Sequence, residues 1–265
     1  MISSMLTKSL MVGTMLNTAT RGTAPKIPVY KSGVVNASNA SVFNGVSTSV
    51  SKHLAYKGVV SLLQFDRDQK KLALDFGCGL GDSTKLLSNL GFKTVGVDHD
   101  PQMIYKARRI HGDFSKFISV SDESLPFDDD TFDLVYSSFV VLEISSLESM
   151  VEYFEKAYEV LKTNGKMVVV TSNPEIYDPI RSWLALAANS NNILKSGNKV
   201  AISVTDAGVE FHDYYWTEKD LTEAATRVGF EVSRSLYPLG TNSDNIEWRE
   251  ETKYSTNLII ELIKK

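Results

Sequence analysis

The chain has 265 residues, 43% of them apolar and 23% charged, enough for one large α/β domain or two small ones with a sizeable core. Its 28 basic and 32 acidic residues leave a net charge of −4, which gives no positive footprint for gripping a nucleic-acid backbone. A single cysteine, Cys78, excludes a disulfide framework or a multi-cysteine metal site and suits a reducing, cytoplasmic compartment, and no apolar run approaches the ~20 residues that a membrane span needs.

Residues 1–50 read as an arm. No acid occurs before Asp66, whereas Lys8, Arg21, Lys26, Lys31, Lys52 and Lys57 are basic. A Ser/Thr/Asn-rich, acid-free start has the composition of an organelle transit peptide, and a mobile arm is the alternative. The segment 51–64 carries Leu54, Val59, Val60 and Leu63 at helical spacing and predicts a helix. A strand–helix alternation follows: KLALDF (71–76), a helix stopped by Gly91, KTVGVD (93–98), and a helix opened by Asp100-Pro101. FISV (117–120) and FDLVYSS (132–138) read as strands three and four. Ser145 with Glu148 predicts a capping box before a helix bearing Met150, Val151, Phe154, Ala157 and Leu161, and KMVVVT (166–171) is strand five.

From about 174 to 216 the pattern loosens into an insertion, with a helix-like piece over 180–188 and then a polar stretch. Thr217 and Gly229 bracket a last helix, followed by strands at 230–238 and 255–264 with no helix between them. The fold class predicted is α/β: a doubly wound, Rossmann-like sheet of seven strands, mostly parallel, ending in an antiparallel hairpin and occupying 51–265.

The loop D-F-G-C-G-L-G after the first strand carries the chemistry. A dinucleotide fingerprint, G-x-G-x-x-G, needs its third glycine at 82, and position 82 is Asp. Carboxylates at Asp75 and Asp82 would repel a pyrophosphate, so the loop suits a ligand with positive charge. S-adenosylmethionine (AdoMet) has a sulfonium, an ammonium and no phosphate.

The pattern D-x-G-x-G-x-G, spanning Asp75, Gly77, Cys78, Gly79 and Gly81, resembles motif I of the class I AdoMet-dependent methyltransferases. VGVDHDPQMI, SDESLPFDDDTFDLVYSS, LKTNGKMVVV and FHDYYWTEKDLTEAATRVGF are similar to later motifs of that family. The resemblance implies that Asp98 binds the ribose hydroxyls, that His99 and Met103 pack on adenine, and that Ser121 or Asp122 meets the adenine amino group. Glu123, Ser137 and Ser138 complete the implied cofactor set. It further implies methyl transfer to a small-molecule acceptor, O- or N-methylation ahead of C-methylation, with S-adenosylhomocysteine as product. A protein or peptide acceptor and a non-catalytic AdoMet-binding subunit are the alternatives. A nicotinamide oxidoreductase would share the sheet, but Asp82 and the antiparallel ending argue against it.

Asp128, Asp129 and Asp130 read as a solvated turn and not a metal site, because no His stands at ligand spacing. On the acceptor side, alternation along 209–216 puts His212, Tyr214 and Trp216 on one face of an extended segment and Phe211, Asp213 and Tyr215 on the other. His212 is the leading general base, since imidazole titrates near neutrality, with Tyr214 beside it to wall a planar acceptor. Glu143, just after strand four, is the second candidate.

Overall fold

The computed structural model describes residues 48–63, 71–112, 115–121, 124–177, 186–188, 193–204, 209–244, 246–248 and 250–265. The expected arm lies outside the described residues up to Thr48, and so do Asp122 and Glu123. The elements are α1 (Thr48–Leu62), β1 (Leu72–Phe76), α2 (Asp82–Asn89), β2 (Lys93–Asp98), α3 (Pro101–His111), β3 (Lys116–Ser119), β4 (Phe132–Ser138), α4 (Leu147–Val160) and β5 (Leu161–Ser172). After these come β6 (Leu186–Ala188), β7 (Lys199–Val204), β8 (Val209–Tyr214), α5 (Glu218–Val228), β9 (Phe230–Leu236) and β10 (Asn257–Lys264).

Seven strands form one sheet in the order β3-β2-β1-β4-β5-β10-β9. β1 to β5 pair in parallel, and β10 runs antiparallel to both β5 and β9, as the absence of an intervening helix implies. Both faces are covered, which is why the strands read as unbroken apolar runs. Leu74, Val135 and Val169 face α4 and α5, where Met150, Phe154, Ala157, Leu221 and Ala224 pack. Ala73, Leu134, Val168 and Val170 face the other way, against Ala55 and Val59 of α1 and Leu87 of α2. The chain leaves β1 toward β2 and β3 and returns through β4 toward β5, so the crevice between the carboxyl ends of β1 and β4 is the switch point where open α/β sheets bind ligands.

The Asp100 side chain accepts from Gln102 N with Pro101 in the first turn, and Thr217 and Asp220 form a reciprocal capping box. The capping box expected from Ser145 and Glu148 does not form. Ser146 is the N-cap instead, its Oγ accepting from Ser149 N at 3.1 Å, because the helix starts one residue later. β5 begins at Leu161, with a register break opposite Phe132 and Leu134 that absorbs the turn around Asn164 (φ 63°).

The insertion holds a second, antiparallel sheet, β6-β7-β8, that the sequence reading did not contain. Leu186–Ala188 is a strand where a helix was expected, and residues 178–185 lie outside the described residues. β7 had a legible signal in the alternation of Val200, Ile202 and Val204. Val200 and Ile202 join Ile176, Tyr177 and Phe211 in a small core beneath this sheet.

Candidate functional site

Two backbone bonds pin the glycine loop to β2, since Gly77 N and Cys78 N both donate to Val97 O at 2.9 Å. Gly77 takes φ 82°, and a Cβ there would stand 2.2 Å from Val140 Cγ2; Gly79, at φ 51°, has nothing within 4 Å of its Cβ position. The loop therefore leaves open space beside its own backbone. Asp98 closes it, with Oδ2 accepting from Gly79 N at 2.8 Å and Oδ1 from Asp100 N at 2.9 Å. Each carboxylate oxygen accepts one bond in this way and retains lone-pair capacity toward the cleft.

Asp75 lies fully buried at the end of β1, where Ser83 Oγ and Thr84 Oγ1 donate to its Oδ2 at 2.7 and 2.6 Å. Among the described residues its Oδ1 has no hydrogen-bond partner. Burial raises its pKa to about 6 against those two hydrogen bonds, with Asp98 adding to the rise. Asp82 does not face the ligand space as its sequence position suggested. Lys52 of α1 and His111 of α3, the latter at 3.1 Å, both hold it, and they outweigh burial to leave its pKa below the ordinary aspartate value. The acid that excludes phosphate is therefore Asp98, with Asp75 behind the loop.

A cleft of about 240 Å³ opens over these strand ends. Of the expected cofactor residues, Gly77, Asp98, His99 and Ser121 line it. Cys78 packs against Ile104, Ala107 and Phe117, and burial first, then Asp75 and Asp98, push its thiol far above the usual range, so it stays a neutral packing group. Met103 is buried in α3, and the Gly81 Cβ position abuts the Phe117 ring. Ser137 is buried and its Oγ accepts from Tyr153 Oη at 2.7 Å, while Ser138 ends β4 half-buried.

Phe76, Val120, Leu125, Val140, Ile144, Tyr153 and Lys156 line the same cleft and were not expected. Tyr153 and Lys156 come from α4, and only the folded chain brings them there; Tyr153 stacks on Phe76 at 4.4 Å.

Glu143 lines the cleft from the 3₁₀ turn Val141–Glu143. His212 and Tyr214 are not among its lining residues. His212 pairs with Ala201 across β7 and β8, its Nδ1 buried without a partner, and Tyr214 packs on the main core. The opposite face of β8 turns Asp213 inward, where Tyr177 Oη donates to its Oδ2 at 2.8 Å. Trp216 Nε1 donates to Ile144 O at 2.9 Å and ties the end of β8 to the residue after Glu143.

Residues 74–169 match the methyltransferase domain family. Over these residues the chain carries a methyltransferase domain, and its fold is that of the class I AdoMet-dependent methyltransferases. It is similar to the demethylmenaquinone methyltransferase of Tropheryma whipplei, 31% identical over 97 residues, covering 36% of this chain and 39% of the relative. A malonyl-[acyl-carrier protein] O-methyltransferase of Enterobacter lignolyticus is 27% identical over 114 residues, covering 43% of this chain and 44% of the relative. The chain thus spans well under two thirds of these curated relatives. Its fold is shared by an AdoMet-dependent methyltransferase from Mesorhizobium loti, with TM-score 0.59, 18% identity and coverage of 79% of this chain and 98% of that one. No described helix is long and apolar enough to cross a membrane.

The residues present fit AdoMet, the cofactor of this class. A buried carboxylate with spare acceptor capacity, an open glycine backbone and the orphaned Asp75 Oδ1 together suit a cationic, hydroxyl-bearing ligand.

Proposed function

We propose that this chain transfers a methyl group from AdoMet to a small-molecule acceptor seated over the carboxyl ends of β1, β2 and β4. The observation that carries this reading is the placement of Asp98, which knots the glycine loop and lines the cleft at once. In this reading its carboxylate accepts from the two ribose hydroxyls, His99, Val120 and Leu125 wall the adenine, and Ser121, Asp122 or Glu123 meets its amino edge. Gly77 and Gly79 give backbone contact to the amino-acid end, while Asp75, Cys78, Gly81, Met103, Ser137 and Ser138 shape the site from behind. Residues 51–265 form the methyltransferase unit, and 174–216 cover the acceptor.

When bound, AdoMet would supply a sulfonium methyl whose carbon a nucleophile attacks, the S–CH3 bond breaking to release S-adenosylhomocysteine. The chain aligns that nucleophile, excludes water and, for a hydroxyl or amine, takes a proton. Glu143 is the group placed to take it, because it lines the cleft whereas His212 does not. Phe76, Val140 and Ile144 offer an apolar wall that suits a planar acceptor, and a proton-accepting carboxylate favours O- or N-methylation.

The experiment is label transfer from methyl-labelled AdoMet to a panel of phenols, quinols, amines and carboxylates, followed by mass spectrometry. Glu143→Gln should lower kcat by about a hundredfold with His212→Ala near wild type. The reverse pattern returns the base to His212. Transfer to nothing in the panel, with S-adenosylhomocysteine bound, would favour a non-catalytic subunit.

A further inference from the structure

The glycine loop joins β1 to α2 with few side chains to fix it. Gly77, Gly79 and Gly81 all take positive φ, so the loop has more backbone freedom to lose than an ordinary turn. Its entry is pinned by the bonds of Gly77 N and Cys78 N to Val97 O, and its middle by the bond of Gly79 N to Asp98. Its exit has no side-chain cap, because Gly81 stands at the N-cap of α2. There Asp82, the first residue of the helix, is held from two sides. Lys52 of α1 pairs with its Oδ2, and His111, the last residue of α3, meets its Oδ1 through Nε2 at 3.1 Å.

We propose that Asp82 is a positioning residue for the cofactor loop: clasped by α1 through Lys52 and by α3 through His111, it fixes the exit of the loop in the shape that receives AdoMet. The inference rests on the reading of the cleft as the AdoMet site. A loop already held in its bound shape has no ordering cost left to set against binding, so the ligand leaves it more slowly. As a stability element the pair is minor. The side chains of Lys52 and Asp82 are 34% and 38% exposed, and ion pairs that wet contribute little to the global fold.

The surroundings of the clasp agree with this. A Cβ at Gly81 would stand 2.7 Å from the Phe117 ring and 3.2 Å from His111 Cδ2, so the imidazole that holds Asp82 also closes on the backbone beside it. Burial would raise the Asp82 carboxyl, but Lys52 and His111 hold it below the ordinary aspartate value and keep it an anion. An ionised carboxylate only accepts, so His111 Nε2 carries the hydrogen of their bond. The Lys52 ammonium also lies 5.6 Å from the centre of the Tyr56 ring, one turn along α1, which limits its swing. α3 begins at the Asp100 cap, just after Asp98, and ends at His111. One helix thus sets the exit of the loop in register with the carboxylate that holds its middle. α1 carries a second clasp, away from the glycines: Lys57 Nζ donates to Oδ1 and Oδ2 of Asp244, between β9 and β10, at 2.9 and 2.8 Å.

The test is titration of S-adenosylhomocysteine, with amide hydrogen exchange of the unliganded full-length chain beside it. Asp82→Ala should weaken binding about tenfold, through faster dissociation, and speed exchange at Gly79 and Gly81 by a similar factor. Lys52→Met should do part of this, and Lys52→Arg, which keeps the pair, should stay close to the wild type. Lys52→Met combined with Asp82→Ala should be no worse than Asp82→Ala alone, because both act through one contact. Lys57→Met is the control: it breaks the other clasp of α1 and should leave affinity and loop exchange unchanged. A merely structural Asp82 would shift the melt and leave both readings where they are. Unchanged or tighter binding in Asp82→Ala overturns the proposal. So does an equal loss in Lys57→Met, which would assign the effect to the docking of α1 as a whole. Failure of the wild type to bind S-adenosylhomocysteine would sink the AdoMet reading instead, and exchange in the unliganded loop would still decide the clasp, so the two failures are separable.

Discussion

The floor of the cleft and the small sheet of the insertion are built on different terms. The floor is the edge of a seven-stranded sheet buried on both faces, with Leu74, Val135, Val168 and Val169 at most 1% exposed, so the loops after β1, β2 and β4 start from a fixed frame. The insertion carries a three-stranded sheet over a small core of Ile176, Tyr177, Val200, Ile202 and Phe211, with the buried carboxyl of Asp213 on β8. A rigid frame presents a cofactor the same way each time, and a thin layer with a buried carboxyl can be altered without dismantling that frame. Under the proposed function, cofactor geometry and acceptor choice fall to parts of different stability.

The largest effect should come from breaking the floor. Phe154, 1% exposed and edge-on to Tyr153 and Phe230, anchors α4 on the sheet; Phe154→Ala should lower global stability by about 3–5 kcal/mol, measured by chemical denaturation. Survival of the melt unchanged would mean that α4 is not part of the frame. Gly77→Ala comes next. It forces an L side chain into φ 82° and onto Val140, and should lower stability by about 1–3 kcal/mol and weaken cofactor binding together, seen in paired melts and titrations.

For the small sheet, pH is the sharper probe. A carboxyl whose folded pKa is raised binds its proton more tightly in the native than in the unfolded chain. Stability is therefore fully present below the unfolded value of 3.8 and is lost as pH rises toward the folded values of about 6 for Asp75 and about 7 for Asp213. Each group contributes a slope of up to about 1.4 kcal/mol per pH unit within its window. Asp213→Asn should flatten the stability curve between pH 6 and 7, where the Asp75 contribution is fading, and an unaltered slope there would place the titration elsewhere. The smallest effect belongs to the joint between the small sheet and the frame: Thr217→Ala removes the capping box of α5 and should lower the melting stability by about 1 kcal/mol, leaving cofactor affinity unchanged.

How much of this was legible in the sequence follows the same division. Strands buried on both faces announce themselves as apolar runs, and β1, β2 and β4 were readable for that reason; so were the caps at Asp100 and Thr217, whose partners lie two or three residues away. Asp98 was legible because it ends a strand beside a glycine loop. Interactions across long separations were not. Nothing near Asp82 reveals that Lys52, 30 residues earlier, would neutralise it, nor that α4 would carry Tyr153 and Lys156 to the cleft. In the small sheet, the alternation of 209–216 divided the faces as found, with Asp213 opposite His212, but which face turns toward the main sheet depends on how β8 docks on the turn after β4. Local sequence does not encode that docking.

The most direct measurement is calorimetric titration of S-adenosylhomocysteine into the full-length wild-type chain and into Asp98→Ala. If the cleft is the AdoMet site with Asp98 as its ribose anchor, the wild type binds and the variant loses on the order of 1.5–3 kcal/mol, roughly ten- to a hundredfold in affinity, with its melt otherwise native-like. Equal affinity in the two proteins, or no binding by the wild type, would contradict the account.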